Sequence, residues 1–270
     1  MITDAQVEAW LREDVGHHDV TNQVPGEVRG HLVATDDGVA AGIDAAVAVF
    51  EYLDVAVDRR VAAGDHVAAG DDLLVATGPA RAVLRGERPA VNVAGHASGV
   101  ATRTRRAVEA ARDVDPDVRV AATRKTTPGL RGVEKRAVAA AGGDTHRLDL
   151  SHMAMVKDNH VDAMGLEAAV DHVARRTSFA TQVEVEVEDP ADGPRAADAG
   201  ADVVMLDNCD PDRVAAGVDL LADRDVLVEA SGGIDVGDVP DYAATGVDVV
   251  SMGALTHSAP ALDLSFRTEG

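Results

Sequence analysis

TQVEVEVEDPADGPRAADAGADVVMLDNCDPDRVAAGVDLLADRDVLVEASGG, residues 181–233, carries three short apolar runs. They are TQVEVEV (181–187), ADVVML (201–206) and DVLVEA (225–230), separated by amphipathic stretches such as DPDRVAAGVDLLAD. Strand–helix alternation of this kind predicts a parallel sheet, whose strands read as nearly continuous Val, Ala, Leu and Met because helices cover both faces. The same rhythm extends outward. VRVAAT (118–123) and MAMV (153–156) precede it, with GLEAAVDHVARR between helix and strand runs, and VDVVSM (247–252) follows. Six such repeats favour a parallel α/β barrel smaller than the usual eight strands. A doubly wound sheet is the main rival, and it is weakened because the glycine fingerprint of a dinucleotide site does not follow the first strand.

The amino-terminal part has a different texture. A short amphipathic helix opens it, followed by alternating segments VRGHLVAT (28–35) and LDVAVD (53–58). In RVAAGDHVAAGDDLLVATG (60–78) the paired Gly-Asp turns and alternating valines predict a β-hairpin. From Pro79 to about Arg112 a helical stretch follows, with interruptions expected near Pro89 and Gly95. The expected division is an amino-terminal α/β domain over 1–112 and a barrel over 113–259, with the tail 260–270 free to pack back on the first domain.

Composition bounds the partners. The 270 residues include 47 acidic and 25 basic side chains, a formal charge of -22, with only 2% aromatics. The only lysines are Lys125, Lys135 and Lys157. An acidic, lysine-poor surface suits a protein that stays hydrated in concentrated salt, where the Debye length shrinks to about 3 Å and self-repulsion is screened. A salt-adapted source is therefore expected. The same surface field speaks against nucleic acid or an anionic membrane as partner. Cys209 is the only cysteine, so neither an intrachain disulfide nor a cysteine-based zinc cluster is expected. No apolar run reaches transmembrane length, and the first residues lack the pattern of a signal peptide. A cytoplasmic location is expected.

Each apolar run ends in groups that a buried strand would not tolerate. VRVAAT leads to Arg124 and Lys125, MAMV to Lys157, and TQVEVEV contains Glu186. VVML runs into Asp207, DVLVEA into Ser231, Gly232 and Gly233, and VDVVS into Gly253. Barrel enzymes place their chemistry at the carboxyl ends of the strands, so these positions would converge on one rim. One polar residue after a strand is most often a cap or a loop; six in series point to a site. The stretch HRLDLSHMAMVKDNH (146–160) adds His146 and Arg147, an unusual concentration of positive groups in so acidic a chain. The rim would then divide. Arg124, Lys125, His146, Arg147 and Lys157 form a cationic half suited to a small polyanion, with arginine offering paired hydrogen bonds and lysine a compact charge. Glu186 and Asp207 form an anionic half suited to Mg²⁺ and ribose hydroxyls. The glycine-bearing loops after the last two strands would offer backbone N–H groups to phosphate. Lys157 as a Schiff-base lysine would leave the neighbouring arginines without a task. Asn159 and His160 are expected to start a helix and orient Lys157, while Met153, Met155 and Trp10 are expected in packing.

Laid out in this way, the chain resembles the quinolinate phosphoribosyltransferases over nearly its whole length. The resemblance rests on LREDVGHHDVT, GPARAVLRGERPAVNVAGHASGVAT, ATRKTTPGLR, HRLDLSHMAMVKDNH, VEVEVED, VMLDNCDPD, EASGGI and GVDVVSMGALTHS, in that order. It implies an amino-terminal α/β sandwich-like domain followed by an incomplete parallel α/β barrel. It also implies a reaction, in which quinolinate and phosphoribosyl pyrophosphate give nicotinate mononucleotide, pyrophosphate and CO₂, with Mg²⁺. By matching positions, Arg124, Lys125, His146, Arg147 and Lys157 would bind quinolinate, and Arg88 would act in the neighbouring subunit's site. That makes a homodimer with shared active sites, with hexamers left open. Glu186 and Asp207 would hold ribose and metal and, with Lys157, form the catalytic set. Ser231, Gly232, Gly233, Gly253 and His257 would bind phosphate. Asp149 stands where the family commonly has Gly, and His152 where it commonly has Asp. Two rival readings are a nicotinate phosphoribosyltransferase without decarboxylation and a non-catalytic metabolite-binding relative. The full set of cations disfavours the first, and retention of both Glu186 and Asp207 the second.

Overall fold

Apolar strands flanked by helices assemble here into two units. The computed structural model describes residues 2–269. Its first half runs α1 (Asp4–Val15), β1 (Glu27–Ala34), β2 (Gly38–Val39), α2 (Ile43–Tyr52), β3 (Ala56–Arg59), β4 (His66–Val67), β5 (Asp72–Pro79) and α3 (Ala80–Arg112). There follow β6 (Arg119–Ala122), α4 (Arg131–Ala140), β7 (Ala154–Val156), α5 (Asp158–Met164), α6 (Leu166–Ala174), β8 (Val183–Val187), α7 (Gly193–Asp198) and β9 (Val203–Asp207). The chain closes with α8 (Pro211–Leu221), β10 (Leu227–Ser231), α9 (Val239–Ala243), β11 (Val249–Met252), α10 (Ala254–His257) and β12 (Leu264–Glu269). One compact unit comprises Met1–Arg105, Pro128–Gly142 and Ala259–Gly270; the other comprises Arg106–Thr127 and Gly143–Ser258.

The first unit is built on an antiparallel sheet in the order β12-β1-β5-β3, with the tail strand β12 pairing along β1. Its core gathers Leu32, Leu74, Phe50, Ile43 and Val83. The hairpin expected over 60–78 forms differently: β3 pairs with β5, while the short β4 turns aside to pair with β2. The interruption expected in α3 is also absent. The helix runs 33 residues with Pro89 inside it. Ala90, Ala94, Ala97 and Ala101 are fully buried at helical spacing, and this packing outweighs the one backbone bond a proline removes. Nor do the glycines break it. A side chain on Gly95 would come within 3.0 Å of the Leu262 carbonyl, and one on Gly99 within 2.0 Å of that of Pro260. They are bare so that the tail can cross the helix, where Leu262 N–H donates to the Gly95 carbonyl at 2.9 Å. Residues 128–142, assigned above to the barrel, belong to this unit. Helix α4 buries Val133, Ala137 and Val138, and its buried Glu134 meets His96 of α3 at 2.8 Å.

The second unit holds all six strands expected from the apolar runs. They are parallel, in the order β6-β11-β10-β9-β8-β7. Strands β7 to β11 thus lie side by side in chain order, and β6 closes against β11. Residues around Asp144 add one parallel bridge to the far side of β6. The arc is an incomplete α/β barrel. Val185, Val204, Leu206, Val228 and Val250 are buried outward, under the covering helices, and the register aligns the alternate residues inward.

Candidate active site

Side chains alternate along a strand, so the parallel register determines which groups share the barrel interior. Glu184 lies opposite Val203, Glu186 opposite Met205, Met205 opposite Glu229, and Asp207 opposite Ser231. Glu186, Asp207 and Ser231 therefore occupy the carboxyl ends of three adjacent strands on one face. Lys157 follows β7, whose Val156 pairs with Val185, and its ammonium meets Glu186 Oε2. This pair crosses the expected border between cationic and anionic halves, so the rim is not divided cleanly by charge. Lys157 is held from behind, since its backbone N–H donates to His160 Nδ1 at 3.0 Å at the start of α5.

The phosphate-type loops assemble next to each other. Gly232 has φ 97°, and a side chain there would lie 2.6 Å from the Asn208 backbone nitrogen. No other residue fits, because Asn208 N–H donates to the Ser231 carbonyl at 2.9 Å. Asn208 also donates from its amide to Asp207 Oδ2 at 2.6 Å, which orients that carboxylate and leaves its other oxygen available. A Cβ on Gly253 would come within 2.9 Å of Lys125 and 3.2 Å of the His257 ring, so these three residues share one corner. Thr256 Oγ1 ties that corner by donating to the Lys125 carbonyl at 2.6 Å. Gly233, exposed with φ 67°, has open space around it.

Arg147 is only 8% exposed. Burial pulls its guanidinium below the usual range, Glu184 opposes that pull, and nearby Arg124 adds to it. One terminal nitrogen reaches Met155 Sδ at 3.0 Å, while the buried Nε atoms of both Arg147 and Arg124 have no acceptor. Two adjacent cations with unmet donors make a receptor for an anion. His146 lies deeper than the rim set anticipated. Its Nε2 is 3.3 Å from both Glu184 Oε2 and Glu229 Oε2 inside the barrel. Burial pushes the imidazole down, but the two carboxylates outweigh it and raise its pKa to about 10. Sequence reasoning singled out neither Glu184 nor Glu229. The signal was present in VEVEV, where Glu184 falls on the same face as Glu186, and in LVEAS, where Glu229 falls on the same face as Ser231. Arg88 stands apart on α3 of the first unit, exposed and 3.5 Å from Glu87.

Carboxylates, cations and bare-backbone loops thus meet at the strand ends of a parallel barrel, the end where barrel enzymes carry their chemistry. The model of the quinolinate phosphoribosyl transferase C-terminal domain matches residues 100–267, and that of the N-terminal domain residues 18–98. A relative from Methanothermobacter thermautotrophicus, named a probable nicotinate-nucleotide pyrophosphorylase [carboxylating], is 42% identical, covering 98% of each chain. The human nicotinate-nucleotide pyrophosphorylase [carboxylating] is 40% identical over 97% of this chain and 90% of its own. The crystal structure of NadC from Streptococcus pyogenes superimposes with a TM-score of 0.89 at 37% identity, covering 100% of this chain and 98% of that one. The chain belongs to the quinolinate phosphoribosyl transferase family.

Proposed function

We propose that this chain transfers the phosphoribosyl group of phosphoribosyl pyrophosphate to quinolinate and releases CO₂, forming nicotinate mononucleotide and pyrophosphate. The observation that carries the site reading is the pair of buried, unmet guanidinium nitrogens on Arg124 and Arg147. Quinolinate bears two adjacent carboxylates, and several cations are needed to hold it. Arg124, Lys125, His146, Arg147 and Lys157 hold the dianion. The ring nitrogen attacks the anomeric carbon as the bond to pyrophosphate breaks, and the pyrophosphate departs with the bonding pair. The carboxylate beside the newly cationic nitrogen then leaves as CO₂, its electron pair stabilised by that nitrogen until a proton replaces it. The retained carboxylate stays on the arginines.

Glu186 and Asp207 flank the ribose, where a carboxylate stabilises the positive charge that develops at the anomeric carbon. Ser231, Gly232, Gly233, Gly253 and His257 receive the phosphates. Glu186 and Asp207 also fit a hard, oxygen-seeking cation, since Asp207 keeps one oxygen unpaired by Asn208. Mg²⁺ bound there would neutralise part of the pyrophosphate charge. Holding the two reactants in line is the larger contribution of the protein. The assembly is a homodimer in which Arg88 completes the partner's site, and its location is the cytoplasm.

With carboxyl-labelled quinolinate and Mg²⁺ in molar KCl, labelled CO₂ and nicotinate mononucleotide should form together, while nicotinate should be turned over poorly. Equal turnover of nicotinate would replace this reading with the non-carboxylating one. The salt requirement is itself part of the proposal. Lys135 is buried and the other two lysines stand in the candidate site, so no lysine relieves the general acidic surface. Screening between 0.1 and 3 M KCl should add several kcal/mol of stability and raise the melting temperature by roughly 10 °C or more. An unchanged melting temperature across that range rejects the salt-adapted reading.

A further inference from the structure

Two glutamates inside the barrel have no task in the reaction as proposed. Glu184 is fully buried and Glu229 is 1% exposed. Each lies two residues before a rim position, Glu184 before Glu186 and Glu229 before Ser231, so both point inward one layer deeper. A buried carboxylate without a partner is costly and persists where a cation answers it. That cation is His146, placed 3.3 Å from each.

The backbone of His146 shows that this placement is imposed. Its φ is 49°, in the left-handed region that non-glycine residues avoid, and its N–H is tied to Asp144 Oδ1 at 2.6 Å. Such a conformation survives where the surroundings over-determine it, most often at functional positions. A cavity of about 280 Å³, lined in part by His146, His152, Val203, Leu227 and Glu229, lies on one side of the ring, and the two glutamates are its nearest charged contacts.

The three groups offer ligand atoms within 4.8 Å of one another, which would also suit a metal ion. The charges favour a different solution. Arg147 is buried within reach of both glutamates. The His146 ring already lies against both carboxyl groups, with the buried Arg147 guanidinium beside them, and a metal would have to displace these contacts.

We propose that Glu184 and Glu229 are positioning residues for the reaction: they clamp the His146 ring from within the barrel, so that the imidazole faces the carboxylates of quinolinate beside Arg147. This rests on the reading that His146 and Arg147 bind quinolinate. The test is steady-state kinetics with Glu184→Gln and Glu229→Gln, which remove charge and keep volume. Each should raise KM for quinolinate about tenfold or more, the scale of a lost charged hydrogen bond. KM for phosphoribosyl pyrophosphate should stay within about twofold, and kcat should change less than KM for quinolinate. His146→Gln alone should raise the quinolinate KM, and adding Glu229→Gln to it should raise it no further, because nothing remains to be positioned. Glu229→Asp, which keeps the charge at shorter reach, should recover part of the loss, and it serves as the reading if a Gln variant does not fold. If His146→Gln raises KM while both Gln variants leave it unchanged, the positioning role is overturned and the substrate assignment stands. If His146→Gln itself changes nothing, the assignment of His146 fails first. A stoichiometric metal ion in the purified wild type, lost in Glu184→Gln, would overturn the proposal in favour of a metal site.

Discussion

Arg147→Ala is expected to weaken quinolinate binding by about 2–5 kcal/mol, a rise in Kd of roughly 30- to 4,000-fold. The size follows from where the guanidinium sits. It is buried, its Nε has no acceptor, and a second cation, Arg124, stands close enough to lower its affinity for protons. A dianion placed between them satisfies the unmet donors and removes the repulsion at once. Truncation leaves one substrate carboxylate desolvated against an empty space, which is the costly half of breaking a buried charge pair. Phosphoribosyl pyrophosphate should lose much less, because the residues proposed to hold it belong to β8, β9 and the loops after β10 and β11. Calorimetry with each ligand separately decides the matter. A larger loss for phosphoribosyl pyrophosphate than for quinolinate would show that Arg147 serves the phosphates. The melting temperature of the free variant is the control, since removing Arg147 takes a neighbouring cation from Glu184 and Glu229.

The barrel was legible because its strands are buried on both faces. An apolar run with a polar or charged residue at its end marks the element and its carboxyl end, and the structure places Glu186, Asp207 and Ser231 at the ends of β8, β9 and β10 and Lys157 just after β7. What stayed hidden depends on partners far apart in the chain. Nothing local to HV (66–67) says that β4 pairs with β2 and not with the neighbouring strand. Nothing local to RGVEKRAVAA reveals that α4 leaves the barrel to bring Glu134 to His96. Pro89 and Gly95 carry real breaking signals, and a buried alanine face together with a crossing tail overrides them. The glutamates of the interior were hidden for another reason. In VEVEV the alternation of charge looks like a strand with one wet face, and only closure of the barrel turns that face inward. Glu184 is fully buried there. The Lys157–Glu186 pair likewise needs the β7–β8 register, which residue spacing alone does not contain.

Mixing an Arg88→Ala chain with a Lys157→Ala chain, each expected to be inactive alone, should restore about a quarter of wild-type activity at equal input. Arg88 is the one member of the cationic set that stands outside the barrel unit, exposed on α3 and paired loosely with Glu87. A lone exposed arginine beside a glutamate contributes little to stability, so the structure alone gives it no reason to be there. A twofold dimer supplies one, because isologous symmetry places the same surface of each chain against its partner and builds two identical composite sites. In a mixed dimer, the barrel of the Arg88→Ala chain keeps its own Lys157 and receives an intact Arg88 from its neighbour. The other site lacks both. Random exchange makes half of the dimers mixed, and half of their sites are complete, which gives about one quarter. If Arg88 served its own chain's site, neither site of a mixed dimer would hold both residues, and activity would stay absent. The measurement therefore requires subunit exchange to be verified first, for example with two chains of different mass, at a salt concentration where the dimer is intact. Recovery to about a quarter establishes sharing across the interface, and no recovery after verified exchange removes Arg88 from the partner's site.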